Sequence, residues 1–344
     1  MKRTAVFGAV LLIALIASAC APAPTPAPVI QTVVVQQTVS VPQTVAVPQT
    51  VVVQPTAAPT KVPPTSTPAP TAPPPTATPL AKVPSDALAQ AGKLLVCTDF
   101  PYPPQEMYDE KGNPAGMDID IGNELGKRLG LQTVYVNSVF DTIIAAVKSG
   151  KCDIIISAMN ITADRNKQVS MLPYFQAGQS MVAQKGNPQK ISTPMDLCGK
   201  SAAAESGTTE ADFLQGTGDY KGKGLVDQCK TAGKPAPNVV VTQKDTDALQ
   251  QLQAGKVAVY FADTPPAAYY TVQQPDKFEL VGQMVEPAVE GINMSCGDAP
   301  DCTKAPLTPL GNAVSTALKS MMTDGTYDKI LAKYNLSAGA IKPK

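Results

Sequence analysis

Between Leu94 and Phe261, short apolar runs alternate with segments whose apolar residues recur every three or four positions. Leu94-Leu95-Val96-Cys97-Thr98 is such a run; Ile121, Leu125 and Leu129 then follow at helical spacing and stop at Gly130, and Thr133-Val134-Tyr135-Val136 reads as a strand. Asp141 stands where it can cap a helix containing Ile143, Ile144 and Val147 that ends at Gly150, after which Asp153-Ile154-Ile155-Ile156 returns as a strand. The order then repeats, with Ser201 to Ala204, Val239 to Val241 and Val257 to Phe261 as strands, and helices from Thr209 to Leu214 and from Thr246 to Leu252. Leu310, Val314 and Leu318, then Tyr327, Ile330 and Leu331, predict two closing helices. A strand that is apolar on both faces must be covered on both, so the alternation predicts an α/β fold, a parallel sheet with helices on each side. About 260 residues from Ser85 onward are enough for two lobes of ordinary size.

What precedes that region has another character. Lys2 and Arg3, the apolar stretch Ala5 to Ile16 and Ala17-Ser18-Ala19-Cys20 predict a secretory signal over residues 1–19. The apolar stretch is shorter than the roughly 20 residues a spanning helix needs. Small residues ending in a cysteine resemble the bacterial lipobox, which implies that Cys20 is diacylated and anchors the protein to the membrane. From Ala21 to Pro84 lie half of all the prolines, no aromatic residue, and Lys61 and Lys82 as the only charges. Such a segment cannot build a core. Residues 20–84 are therefore expected to form a lipidated, disordered Pro/Thr/Val-rich tether of polyproline type. Its Gln-Thr-Val repeat at Gln31, Gln37, Gln43 and Gln49 also has strand propensity, interrupted by Pro42 and Pro48.

Setting Cys20 aside leaves Cys97, Cys152, Cys198, Cys229, Cys296 and Cys302, an even number in an oxidising compartment, so disulfides are expected. Six cysteines allow fifteen pairings. Spacing favours Cys198 with Cys229 and Cys296 with Cys302, which leaves Cys97 with Cys152. The chain has no His and no pair of cysteines at metal-knuckle spacing, so no metal site is expected. Lys plus Arg equals Asp plus Glu, and there is no basic run beyond the signal, which argues against nucleic acid as a partner.

Gly116-Met117-Asp118-Ile119-Asp120-Ile121, followed by Lys127-Arg128-Leu129-Gly130, resembles the Gly-hydrophobic-Asp-x-Asp signature of the family 3 extracellular solute-binding proteins. Further blocks stand in family order over Gly92 to Leu336. They are Thr98-Asp99 with Tyr102 and Pro104, Met159-Asn160-Ile161-Thr162 with Arg165, Ser206-Gly207-Thr208-Thr209, Asp263-Thr264-Pro265, and Asp324-Gly325-Thr326-Tyr327. The resemblance implies a periplasmic-binding-protein type II fold, two α/β lobes joined by two hinge strands that close over a ligand. Lobe 1 would comprise residues 85–177 and 288–344 and lobe 2 residues 178–287, with crossings near Gln176 to Gln179 and Val285 to Glu290. It implies a receptor for a polar amino acid that delivers it to the permease of an ABC importer, as a monomer, without cofactor or catalysis.

An amino acid brings a carboxylate and an ammonium into a closed cleft, and each needs a buried opposite charge. Arg165, in the first turn of a helix apparently capped by Thr162, has the planar fork that suits a carboxylate. The N–H groups of Thr208 and Thr209, opening a helix of the other lobe, can share that anion. The resemblance implies that Asp263 receives the ammonium, helped by oxygens near Ser157 and Asn160; otherwise Asp263 would be a helix N-cap. Tyr102 and Phe140 match the aromatic positions that sandwich the ligand side chain, and both are expected at the rim. Asp99 and Glu205 stand at the distal end. Two carboxylates there favour arginine or lysine; with Glu205 in solvent and Asp99 accepting from an amide, glutamine or another polar amino acid is the alternative.

An enzyme on the same fold, such as a secreted dehydratase, would need an acid or base at the reacting bond. Asp99, Glu205 and Asp263 are better explained as partners of a cation, and a non-enzymatic protein is expected. A receptor ectodomain would need a membrane span after the binding region, and none follows before Lys344.

Overall fold

The computed structural model describes residues 80–342. The signal segment, Cys20 and the Gln-Thr-Val repeat lie outside the described residues. Lys93–Thr98 (β1), five of its six residues buried, leads to a short hairpin of Met107–Tyr108 (β2) and Pro114–Ala115 (β3). Then come Met117–Leu129 (α1), Gln132–Asn137 (β4), Ile143–Lys148 (α2), Ile154–Ile155 (β5) and Ala163–Gln168 (α3). A long strand, Ser170–Gln184 (β6), precedes Ser201–Glu205 (β7), Thr209–Gln215 (α4), Leu225–Thr231 (α5), Asn238–Thr242 (β8), Asp245–Gln253 (α6), Val259–Asp263 (β9) and Thr264–Gln273 (α7). A second long strand, Phe278–Met294 (β10), is followed by Pro309–Thr323 (α8) and Thr326–Lys333 (α9).

The strands form one sheet in the order β4-β1-β5-β10-β6-β9-β7-β8. Its two ends are parallel, as the alternation predicts: β4, β1 and β5 on one side, β9, β7 and β8 on the other. The middle corrects the expectation of a purely parallel sheet. β6 and β10 run antiparallel to each other along their lengths and are shared by both halves. They are successive passages of the chain in opposite directions between the halves, which is why they pair antiparallel. Register shifts break their ladder between Val281 and Val285, between Val285 and Ala288 and between Glu290 and Gly291. Gln176 pairs with Val289 and Ala177 with Ala288 in that interrupted stretch, where the sequence anticipates the crossings.

Each half buries both faces. Leu94 and Val96 of β1 pack with Ile121 and Leu125 of α1, Val314 and Leu318 of α8 and Leu331 of α9, whereas Leu95 and Cys97 face Ile143 and Val147 of α2. Alternate residues of one strand thus serve two cores. In the other half, Ala202, Ala204 and Phe261 meet Phe213 and Leu225, while Ala203 and Tyr260 meet Leu249 and Leu252. The disulfides are Cys97–Cys152, Cys198–Cys229 and Cys296–Cys302, with Cα separations of 5.7, 5.6 and 5.6 Å, so the pairing favoured by spacing is the one formed. No helix among the described residues is long and apolar enough to cross a membrane.

The Gly116 signature has a structural cause. At φ 130° a side chain is strained, and a Cβ there would lie 2.2 Å from the carbonyl oxygen of Gln105. Asp118 is fully buried; it accepts the Ala158 N–H at 2.9 Å and the Tyr174 hydroxyl at 2.8 Å, tying α1 to the loop after β5 and to β6. Asp120 turns outward to Lys333 and Tyr334 near the end of α9, fixing the returning C-terminal helix on the first half. Asp141 does not cap α2, which begins at Ile143 behind a single 3-10 turn. Its carboxylate instead accepts the Ser206 hydroxyl at 3.2 Å, a bond between the halves.

Candidate functional site

β5 is only two residues long, so the chain leaves the sheet at Ser157 and runs to Asn160 across the seam between the halves. Ala158 in this turn adopts φ 46°, held by the bond to Asp118. Strain of this kind is stored where surrounding structure over-determines it. The turn is one wall of a pocket, and all ten binding residues expected from the sequence line that pocket.

At one end, Thr162 caps α3 by accepting the Arg165 N–H at 3.2 Å, which aims Arg165 inward. Its guanidinium is buried and donates to the carbonyl oxygens of Asn160 at 2.8 Å and of Gly207 at 2.7 Å, joining the two walls. Burial lowers its pKa, and Glu210, Asp212 and Asp263 oppose that shift, so the group keeps its charge. Phe140, half-buried, lies under the guanidinium with 5.4 Å from Cζ to the ring centroid. Thr208 is the N-cap of α4, its hydroxyl accepting the Ala211 N–H at 3.2 Å.

Asp263 ends β9 and stands at the N-cap position of α7, but its side chain makes no capping bond. Tyr102 instead donates its hydroxyl to Asp263 Oδ2 at 3.0 Å and accepts the Asp263 N–H at 3.1 Å. Tyr102 is 8 % exposed, so its expected rim position is corrected: the closing of one wall on the other buries it. Asn160 Nδ2 donates to Thr209 Oγ1 at 2.8 Å and reaches Asp263 Oδ1 at 3.4 Å. Gln179 Nε2 donates to the same Thr209 hydroxyl at 2.9 Å, and that hydroxyl donates to Glu210 at 3.2 Å. Burial raises the pKa of Asp263, against bonds from Tyr102, Glu210 and Asn160. Burial, with Asp263 beside it, pushes Glu210 well above the carboxylate range. Asn160 Oδ1 and Gln179 Oε1 are buried acceptors without a donor. This corner has more acceptors than donors.

At the other end, Asp99 Oδ2 accepts the Phe140 N–H at 2.6 Å, and Asp99 Oδ1 takes an ion pair from Lys244, which stands between β8 and α6. Burial raises the Asp99 pKa and Lys244 offsets part of that rise. Glu205, at the end of β7, is buried and not in solvent; burial, then Asp245 and Asp99, push its pKa up to about 10. Ser157 accepts the Asp99 N–H at 2.9 Å and donates to Glu106 at 2.8 Å.

Four residues of this region escaped the sequence reading: Glu106, Ala158 and Glu210 in the pocket wall, and Lys244 on Asp99. Glu210 follows Thr208 and Thr209 in a first helical turn, where an acid is ordinary. Glu106 and Lys244 carry no local signal. No cluster of three or more His, Cys, Asp or Glu arranged to hold a metal ion occurs among the described residues.

Known proteins are similar to this chain over the same span. The ABC transporter arginine-binding protein 1 of Escherichia coli (strain K12) is 30 % identical over 241 residues, covering 70 % of this chain and 89 % of that protein. A solved structure of an ancestral arginine-binding protein bound to arginine superimposes with a TM-score of 0.61 at 33 % identity, over 71 % of this chain and 98 % of the other. An ancestral arginine-binding protein bound to glutamine does so with a TM-score of 0.61 at 32 % identity, over 72 % and 99 %. The periplasmic-binding-protein type II architecture is common to them, and so is a role in binding and not in catalysis. Residues 94–337, which hold both halves of the sheet and every residue of the pocket, match one family throughout: the chain belongs to the bacterial extracellular solute-binding proteins, family 3.

Proposed function

We propose that this protein captures a free L-amino acid between its two halves, with arginine or lysine favoured, and hands it to the permease of an ABC importer. The observation that carries the reading is a pocket with a buried guanidinium on one side and a buried carboxylate in an acceptor-rich corner on the other. Arg165 and the N–H groups of Thr208 and Thr209 take the α-carboxylate. Asp263, with the acceptors of Asn160 and Gln179, takes the three N–H donors of the ammonium. Asp99 and Glu205 receive a cationic side chain that passes Tyr102 and Phe140. The similarity to arginine-binding proteins supports this choice.

Lobe 1 comprises residues 85–177 and 288–344 and lobe 2 residues 178–287, so the interrupted stretch of β6 and β10 is the hinge. The protein acts as a monomer, exported and held at the outer face of the membrane by a lipid on Cys20. One observation favours a second ligand class: Lys244 already neutralises Asp99, which suits the neutral amide of glutamine. Calorimetry of the purified protein against the common amino acids tests the reading. We expect stoichiometric heat from at least one cationic amino acid, recovered unchanged, and the absence of heat and of thermal stabilisation from every amino acid would sink it.

A further inference from the structure

The distal carboxylate is already occupied. Asp99 is 6 % exposed and has both oxygens engaged, Oδ2 by the Phe140 N–H and Oδ1 by the ammonium of Lys244. The two partners are 145 residues apart and come from opposite halves: Asp99 follows β1, whereas Lys244 follows β8. Strand register puts Lys244 there. Thr242 pairs with Glu205 across β8 and β7, and its hydroxyl donates to the Lys244 carbonyl at 2.9 Å, so Lys244 leaves the sheet beside Glu205. Its side chain makes no capping bond for α6 and is 28 % exposed.

We propose that Lys244 is a tethered cation seated in the distal subsite, a specificity-determining residue that a cationic ligand side chain must displace from Asp99 and that a neutral amide side chain leaves in place. The inference rests on the amino acid reading of the pocket. A guanidinium and an ammonium cannot share one carboxylate oxygen without strong like-charge repulsion. Arginine therefore binds only the fraction of molecules in which Lys244 has swung away, and its apparent affinity falls by that fraction. Glutamine bears no such penalty, because its amide oxygen can accept from the same ammonium. Lys244 thereby compresses the preference that Asp99 and Glu205 alone create.

Calorimetric titration of the full protein with L-arginine and with L-glutamine, on wild type, Lys244→Gln, Lys244→Met and Lys244→Arg, tests this. The two neutral variants should raise the ratio of arginine to glutamine affinity roughly tenfold, mainly through arginine, while Lys244→Arg keeps the wild-type ratio. Lys244 is partly exposed, and having two neutral variants guards against a folding defect in one. If both amino acids bind and the ratio moves by less than about threefold in the neutral variants, or moves toward glutamine, the inference is overturned and the amino acid reading stands. If no amino acid binds wild type or any variant, the reading itself fails and the inference with it.

Discussion

On the proposed reading, Arg165 and Asp263 hold the groups that all amino acids share, and both are buried. Truncating one member of a buried charge arrangement costs about 3 to 5 kcal/mol, and each 1.4 kcal/mol is about tenfold in affinity. Arg165→Ala and Asp263→Ala are each expected to weaken every amino acid more than about a hundredfold by calorimetry; near-normal binding in either removes its role. Glu205 leads to a pH prediction. With its pKa pushed up to about 10, it is protonated at neutral pH. A cationic side chain beside it favours the ionised form, so arginine competes with that proton. Arginine binding near pH 8 should release protons, measured as buffer-dependent heat, and its affinity relative to glutamine, whose α-ammonium titrates alike, should rise as pH rises toward about 10. Glutamine should release none, and Glu205→Gln should abolish the effect; buffer-independent arginine heat in wild type would show that Glu205 does not meet the ligand. Asp99, Arg165 and Asp263 were legible in the sequence because each follows or opens a predicted element within a family motif. Lys244 was not, because its charge acquires meaning only through Asp99.

At the scale of elements, the strand-helix alternation was legible for β1, β4, β5, β7, β8 and β9 because apolar spacing is a local property. The turn between β7 and α4 shows how such an element meets the opposite wall. Gly207 has φ 77°, and a Cβ there would lie 2.8 Å from the Cα of Asp141 on the other half. Alanine would face a left-handed backbone cost of about 1 to 2 kcal/mol and a clash that only opening of the cleft relieves. Gly207→Ala should therefore weaken amino acid binding about tenfold or more and leave the unfolding transition cooperative. Titration calorimetry beside a thermal melt checks this, and unchanged affinity would mean that the walls need not approach so closely. The antiparallel course of β6 and β10 was less legible, since two passages in opposite directions produce no distinct periodicity.

At the scale of the molecule, buried carboxyl groups outnumber, among the described residues, the buried cations that could pair with them. Burial pushes Asp118 and Asp245 up to about 7 and Glu205 up to about 10, and it raises Glu106, Glu210 and Glu290 well above the carboxylate range. For a raised pKa the folded state binds more protons than the unfolded chain. That contribution is complete below the unfolded value of about 4 and is lost as pH rises through the folded value. The melting temperature should therefore fall by several degrees between about pH 5 and pH 8, read by calorimetry or circular dichroism. A flat or rising profile would show that these groups are ionised in the fold.

By itself the sequence determined the α/β class and the ten residues that converge on the pocket, and it favoured two of the three disulfides. All of these rest on local periodicity, spacing or motif order. The tertiary structure alone decided that Tyr102 is buried against Asp263, that Glu210 shares that corner and that Lys244 holds Asp99. Those relations join residues far apart in the chain and from opposite halves of the sheet, and a charge or a hydroxyl carries no mark in sequence of the partner that packing will bring to it.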